Sequence, residues 1–392
     1  MKRLIHWIDQ RFPLTEIWNK HAAKYEVPKN LNFWYVFGAF SLLVLINQII
    51  TGIWLTMYYT PTDTGAFDSV QHIMRHVKYG WLIRYLHTTG ASAFFVVLYL
   101  HIYRGFIYGS YQKPRELLWL IGMLLYVCLI AEAFTGYVLP WGQMSFWAAK
   151  VIISLITAIP LFGKHLAIWI QGDYTVGDVT LHRFFAFHVS AIPLIIILLV
   201  IVHIMGLHKV GSNNPEGIEV KEKIAFHPFF TVKDLFGFSV FIIIFAIIIF
   251  YFPTMHGYFL EPENALPANA LQTPLHIAPI WYLAPFYAML RAVPDKLSGI
   301  VIMAAGIAIL FVMPWLDKSP MRSIRYKGWI SKAAITLFVM SFIGLGYLGT
   351  QPPTPFYTHF ARVFTLIYFA FFLLMPIYSR YDAVKPLPTM NI

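Results

Sequence analysis

Polar residues are sparse and clustered along this chain, and the apolar stretches between the clusters are long. Eight of these reach or approach the ~20 residues that a helix needs to cross a bilayer core. They are Trp34–Tyr58, Trp81–Ile107, Leu117–Leu139, Phe184–Leu207, Leu235–Phe252, Ser298–Trp315, Ile330–Leu348 and Phe360–Tyr378. The pattern predicts an all-α, polytopic membrane protein with eight transmembrane helices. Two connections are long for a compact membrane protein, which marks them as functional. Residues Pro140–Thr180 include an amphipathic stretch near Phe146–Ile159, and Pro253–Asp295 is rich in proline and contains Pro279-Ile280-Trp281-Tyr282. There is no tandem repeat, low-complexity tract or soluble domain.

Positive charge orients the spans. With the N-terminus in the cytoplasm, twenty of the 29 lysines and arginines fall on the cytoplasmic side, as the positive-inside bias requires. Both termini are then cytoplasmic. The N-terminal MKRLIHWIDQRF lacks the apolar core and cleavage site of a signal peptide, so the first span is expected to direct insertion.

Composition agrees with this picture. The chain of 392 residues is 58% hydrophobic and only 12% charged, against about 25% charged in soluble domains. An ordinary cytoplasmic enzyme is excluded. The formal charge of +11 suits anionic lipid headgroups and topology signals better than nucleic acid, which is not expected as a partner. The single cysteine, Cys128, lies in an apolar run and is read as packing. No CxxCH segment offers covalent haem attachment.

Ionisable residues inside spans usually mark function. The second span carries His87 and His101, and the fourth carries His188 and His203. Spacings of 14 and 15 residues place each pair roughly 21–22 Å apart along its helix and on broadly one side. Taking the two spans as antiparallel neighbours, His87 and His188 share an outer level, and His101 and His203 an inner one. Neutral imidazole is a good axial ligand for haem iron. Two bis-histidine haems, stacked along the membrane normal within the first four helices, follow. A proton path or helix-to-helix hydrogen bonding is the alternative for any lone histidine. Gly38 and Gly52 in the first span, and Gly122 and Gly136 in the third, repeat the 14-residue spacing. They would let the haem rings pack against backbone, or serve ordinary close helix packing. Arg84 and Arg104 flank the ligands and could pair with haem propionates or snorkel to headgroups.

The segments YGWLIRYLHTTGAS, GYVLPWGQMSFW, RFFAFH, GSNNPEGI and FHPFFTVKD resemble the cytochrome b subunit of quinol–cytochrome c reductase, the cytochrome bc complex, over nearly the whole chain. The resemblance implies a low-potential b-type haem on His87 and His188 and a high-potential one on His101 and His203, both non-covalent. It implies a haem-binding domain (1–215) and a domain for the quinol site and partner docking (216–392). It implies an outer quinol-oxidising site using Phe134, Tyr137, Gly142, Met144, Pro279, Tyr282 and Tyr287. An inner site, where quinone is reduced, would use His208, Ser212, Lys233 and Asp234. Ubiquinol and ubiquinone would be the substrates, and a Rieske iron–sulfur protein and a c-type cytochrome the partners. The complex would be a homodimer in the bacterial inner membrane. One electron would pass to the Rieske protein and the other through both haems to the inner site, contributing to the proton-motive force. A two-haem anchor of another quinone-linked oxidoreductase is the runner-up, and a non-redox transporter the third reading.

The chain departs from the family's pattern in four places. The usual PEWY motif is here Pro279-Ile280-Trp281-Tyr282, and isoleucine cannot accept a proton. Glu132, four residues before Gly136 on one helix face, is expected either to replace that glutamate as proton acceptor or to bond a neighbouring span. His276 competes for the role. Ala148 stands where the family usually has glycine, which implies weak binding of strobilurin-type inhibitors. The fourth span's 15-residue histidine spacing exceeds the family's usual 14, and Pro193 is expected to kink the helix and absorb the additional residue.

Overall fold

The computed structural model describes residues 2–387. Eight helices are long and apolar enough to cross a membrane: Phe33–Thr56, Gly80–Tyr108, Glu116–Val138, Asp178–Val210, Phe229–Tyr251, Lys296–Leu316, Trp329–Gly349 and Pro355–Leu373. Local chemistry sets several of their ends. The Asp295 carboxylate accepts from Ser298 N at 2.7 Å and starts the sixth. The Thr354 hydroxyl does the same for Tyr357 N at 3.3 Å, with Pro355 next, satisfying amides that no helical carbonyl can reach. Gly109, at φ 63°, closes the second span; a side chain there would run into the Arg322 backbone.

Three spans differ from the hydropathy pattern. The fourth and fifth begin six residues earlier than expected, because the first turns, Asp178–Arg183 and Phe229–Asp234, carry charges that interrupt the apolar run. The eighth ends at Leu373, and Met375–Tyr381 forms a separate helix with Pro376 in its first turn.

In the fourth span, Phe187–Ala191 forms a single π-helical turn that contains His188 and ends just before Ile192 and Pro193. This turn, rather than a kink at Pro193 alone, absorbs the additional residue between the histidines. Proline's missing amide relieves the ladder at the same place.

The first span packs on the second, the third on the fourth, and the sixth, seventh and eighth on the short helix Ala284–Ala292. The second and fourth spans run in the same direction, not antiparallel as first read, because every second crossing repeats its direction. The levels survive this correction, since His87 still meets His188. Apolar side chains gain little by leaving lipid, so cohesion comes from close packing and from polar contacts worth roughly 0.6–2 kcal/mol each. Trp119 donates to Leu310 O at 2.8 Å and Tyr368 to Gly306 O at 2.7 Å. One buried cluster, with Tyr126, Phe286, Phe338 and Tyr368, continues across both halves of the chain.

The expected boundary at 215/216 lies in the loop between the fourth and fifth spans, while Met1 and residues 388–392 lie outside the described residues. In that loop Asn213 donates to Tyr108 O at 2.7 Å and Ser323 to Pro215 O at 2.7 Å. The GSNNPEGI segment thus ties the fourth span to the loop before the seventh. A two-stranded antiparallel pairing of Glu26–Pro28 with Lys223–Ala225 brings the N-terminal segment to the same end.

Candidate functional site

Each of the four intramembrane histidines faces one of the four spaced glycines. A methyl group on Gly38 would lie 3.2 Å from His101 Cε1, on Gly52 3.2 Å from His87 Cε1, and on Gly122 3.2 Å from His203 Cε1; on Gly136 it would collide with His188. The glycines therefore make room for imidazole edges. The sequence led to the expectation of haem rings or neighbouring helices against them; the contacts the structure shows are with the histidine edges. For His87, His101 and His203 the Cε1–Nδ1 edge meets the glycine, which directs Nε2 away from it, whereas His188 crowds Gly136 with both ring nitrogens.

At the outer level the His87 and His188 ring centroids are 6.0 Å apart, with planes at 88°. A metal held between two imidazole nitrogens at about 2 Å each needs close to that separation. Hydrogen bonds occupy the other nitrogens. His87 Nδ1 meets Thr51 Oγ1 at 2.9 Å. His188 Nδ1 lies 3.0 Å from both the carbonyl and the carboxylate of Glu132. Such partners fix tautomer and ring orientation, leaving Nε2 for a metal.

The arginines lack acidic partners. The Arg84 guanidinium forms no hydrogen bond or ion pair among the described residues, its backbone carbonyl alone accepting from Thr88 Oγ1 at 3.1 Å. Arg104 donates to Ser110 Oγ at 3.0 Å and lies over the Tyr35 ring at 4.9 Å, with its Nε buried and unpartnered. Buried guanidinium groups without counter-ions fit a ligand that brings carboxylates. His203 Nδ1 and Glu132 Oε2 are likewise buried without a partner.

Near the outer level a cavity of about 1150 Å³ is lined by Met144, Glu261, His276, Pro279 and Trp281, among others. Its walls come from both halves. Gln143 N donates to Leu266 O at 2.9 Å, Ser145 N to Asn264 Oδ1 at 2.8 Å, and Trp281 Nε1 to Ser92 Oγ at 3.1 Å. Gly142 packs so closely on Asn264 that a side chain would not fit. The remaining residues expected here are not among those lining the cavity. Tyr282 is buried and stacked on Phe95 at 3.9 Å. Phe134 packs on Phe184 at 5.7 Å, and Tyr287 lies under the Arg291 guanidinium at 4.8 Å. Ile280 is 5% exposed, and Ala148 is buried on the helix Gln143–Ile156. His276 Nε2 is bonded to Thr350 O at 3.1 Å.

Glu132 is not among the residues lining this cavity. Its carboxylate is held on His188, so of its two expected roles the structure gives it the contact with a neighbouring span. Two loop carboxylates do reach the cavity, Glu261 and Glu263; the part-buried one, Glu261, was not expected from the sequence. Only the folding of its loop against the third span brings it there, beside Tyr137.

At the other end His208 stacks on Tyr25 at 4.3 Å and on His21 at 5.1 Å, and the two histidine Nδ1 atoms are 3.0 Å apart. Neither N-terminal ring was expected from the sequence. Ser212 donates to Asn213 O at 3.0 Å, and the Lys233 ammonium lies over Phe229 at 4.5 Å. Among the described residues no hydrogen bond joins His208 to Asp234 or Lys233, though all lie near the same ends of the fourth and fifth spans.

The family profile described as "Cytochrome b/b6/petB" matches residues 22–211, and "Cytochrome b(C-terminal)/b6/petD" matches 267–369. The chain is 54% identical to the cytochrome b of Allochromatium vinosum, over 98% of this chain and 97% of that one. It is 50% identical to that of Rickettsia typhi, over 99% and 96%. It matches the "Cytochrome b/c1" of Bradyrhizobium diazoefficiens at 45% identity, over 98% of this chain and 56% of that longer protein. A solved chain of a hyperthermophilic respiratory complex III superimposes with a TM-score of 0.90 at 39% identity, covering 96% of this chain and 98% of that one.

Proposed function

Because this chain belongs to the cytochrome b family, we propose that it is the quinol-oxidising, electron-carrying subunit of a bacterial respiratory complex III. It is a multi-pass membrane protein, read here as lying in the inner membrane with both termini cytoplasmic. The observation that carries the reading is the set of four imidazole–glycine contacts at two depths. His87 and His188 would hold one b-type haem and His101 and His203 the other, with Arg84 and Arg104 set to meet propionates. When bound, the haems supply one-electron transfer between the two membrane faces.

The chain's own residues do the rest. Thr51 and Glu132 fix the outer imidazoles by their Nδ1 atoms. Met144, Pro279 and Trp281 shape an apolar cavity for a quinol ring, and Phe134, Tyr137, Gly142, Tyr282 and Tyr287 are assigned to the same site. At the inner end His208, Ser212, Lys233 and Asp234 are placed to bind a quinone and deliver protons from the cytoplasm. The chain has no cysteine ligands for an iron–sulfur cluster. The first electron therefore requires a Rieske partner, docked on the outer loops, and a c-type cytochrome after it. We assign residues 1–215 to haem binding and 216–392 to the quinol site and docking, within a homodimeric complex that contributes to the proton-motive force.

A redox titration of the purified complex, with a quinol–cytochrome c assay, tests this. Two b-type haems per chain with different midpoints are expected. Complex that keeps both haems after all four histidines are replaced by alanine would overturn the assignment.

A further inference from the structure

The outer cavity lacks the carboxylate that the PEWY glutamate would supply, and Ile280 at that position is buried in the apolar core. A different carboxylate lines the cavity. Glu261 comes from the loop after the fifth span and stands beside Tyr137 of the third. We propose that Glu261 is a catalytic residue of the outer site, accepting a proton from the quinol hydroxyl as the quinol is oxidised. The proposal deepens the reading above and rests on it.

Three observations support the assignment. The buried Tyr137 hydroxyl stands beside Glu261, close enough to act on its carboxyl, so a second polar handle lies at the acceptor. Asn264 Nδ2 donates to Glu261 Oε2 at 3.4 Å and Oδ1 accepts from Ser145 N at 2.8 Å. One asparagine thereby ties the acceptor to the helix that floors the cavity. The rival groups are less well placed: Glu132 is held on His188, His276 Nε2 on Thr350 O, and Glu263, which also lines the cavity, is exposed where Glu261 is part-buried.

The environment suits a proton acceptor. Burial pushes the Glu261 carboxyl up to about 7, and the nearby Glu263 adds to the rise, against the Tyr137 and Asn264 contacts that lower it. A base near the working pH both holds and releases its proton. The other titratable groups near it are Tyr137 on the third span, the buried Tyr282, and His256, Tyr258 and His276 in the cavity lining.

The step balances. Quinol has two protons and two electrons to lose. One of each leaves toward the Rieske partner. The second O–H bond breaks with its proton on Glu261, and the haem that His87 and His188 would hold would supply the acceptor for its electron. Quinone remains, and the protonated carboxyl discharges to the aqueous outer face through the open cavity.

The test is the pH profile of quinol–cytochrome c reduction by the intact complex, with a short-chain ubiquinol analogue as substrate. The wild-type rate should rise with pH through about 7, as the carboxyl loses its proton. Glu261→Gln should lose that rising limb and slow on the order of 100-fold at alkaline pH, and Glu261→Asp should recover part of the rate. Haem content, and haem reduction through the inner site with the outer site blocked, should stay at wild-type levels and show that the variant has assembled. A loaded Glu261→Gln complex that keeps rate and profile would overturn the proposal, as would loss of the limb in His276→Gln alone. A wild-type complex that oxidises no quinol at all would instead sink the reading on which the proposal rests.

Discussion

At Gly136 the absence of a side chain is a steric requirement. Any Cβ there would occupy the space of the His188 imidazole, whereas a methyl on Gly206 would meet only Leu118 Cδ1 at 3.5 Å. Gly136→Ala should therefore lose the outer haem, about half of the b-type absorbance of the purified complex, and Gly206→Ala should keep both. A haemochrome assay per milligram of protein reads the difference. The four histidines and four glycines were legible in the sequence because helical periodicity turns a spacing into a direction. Their pairing was not legible, because it depends on which helices adjoin. Glu261 was invisible for the same reason. Nothing in EPEN distinguishes a loop carboxylate from one pressed against Tyr137.

The spans could be read at the level of elements because about 20 apolar residues leave few alternatives in lipid. Their ends were misread where a charged first turn, as at Asp178–Arg183, belongs to the helix but not to its apolar run. The π-turn Phe187–Ala191 was signalled only by the 15-residue spacing, which reports that a residue must be absorbed but not where. Its position yields an expectation. Removing Val189 should convert the π-turn to ordinary helix and retain both haems. Removing Ile197 should instead leave the turn intact and rotate His203 about 100° from its partner. Optical quantitation of the two haems by their separate midpoints checks this; equal loss from both deletions would contradict it.

Across the whole molecule, one polar hub joins the two halves at the face proposed to be cytoplasmic. Asp317 takes Lys327 Nζ at 2.6 Å, Tyr111 OH at 2.6 Å and Gln112 Nε2 at 2.9 Å. Burial alone would raise its carboxyl, but the Lys327 charge and the Tyr111 hydroxyl hold it below the ordinary carboxylate range. Its stabilisation is thus present above that range and lost as pH falls through the lowered value. Lys327→Met strands a buried charge and should cost about 3–5 kcal/mol, whereas Asp317→Leu with Lys327→Met should cost less. Thermal unfolding of the detergent-solubilised complex, followed at the Soret band, measures both.

The notches at Gly38, Gly52, Gly122 and Gly136 carry a kinetic meaning too. A ring wedged against bare backbone has little freedom to swing when the charge beside it changes. Surroundings already arranged for both oxidation states add little to the barrier of each transfer. Fast relay between the two depths would then follow from the smallest residue in the alphabet.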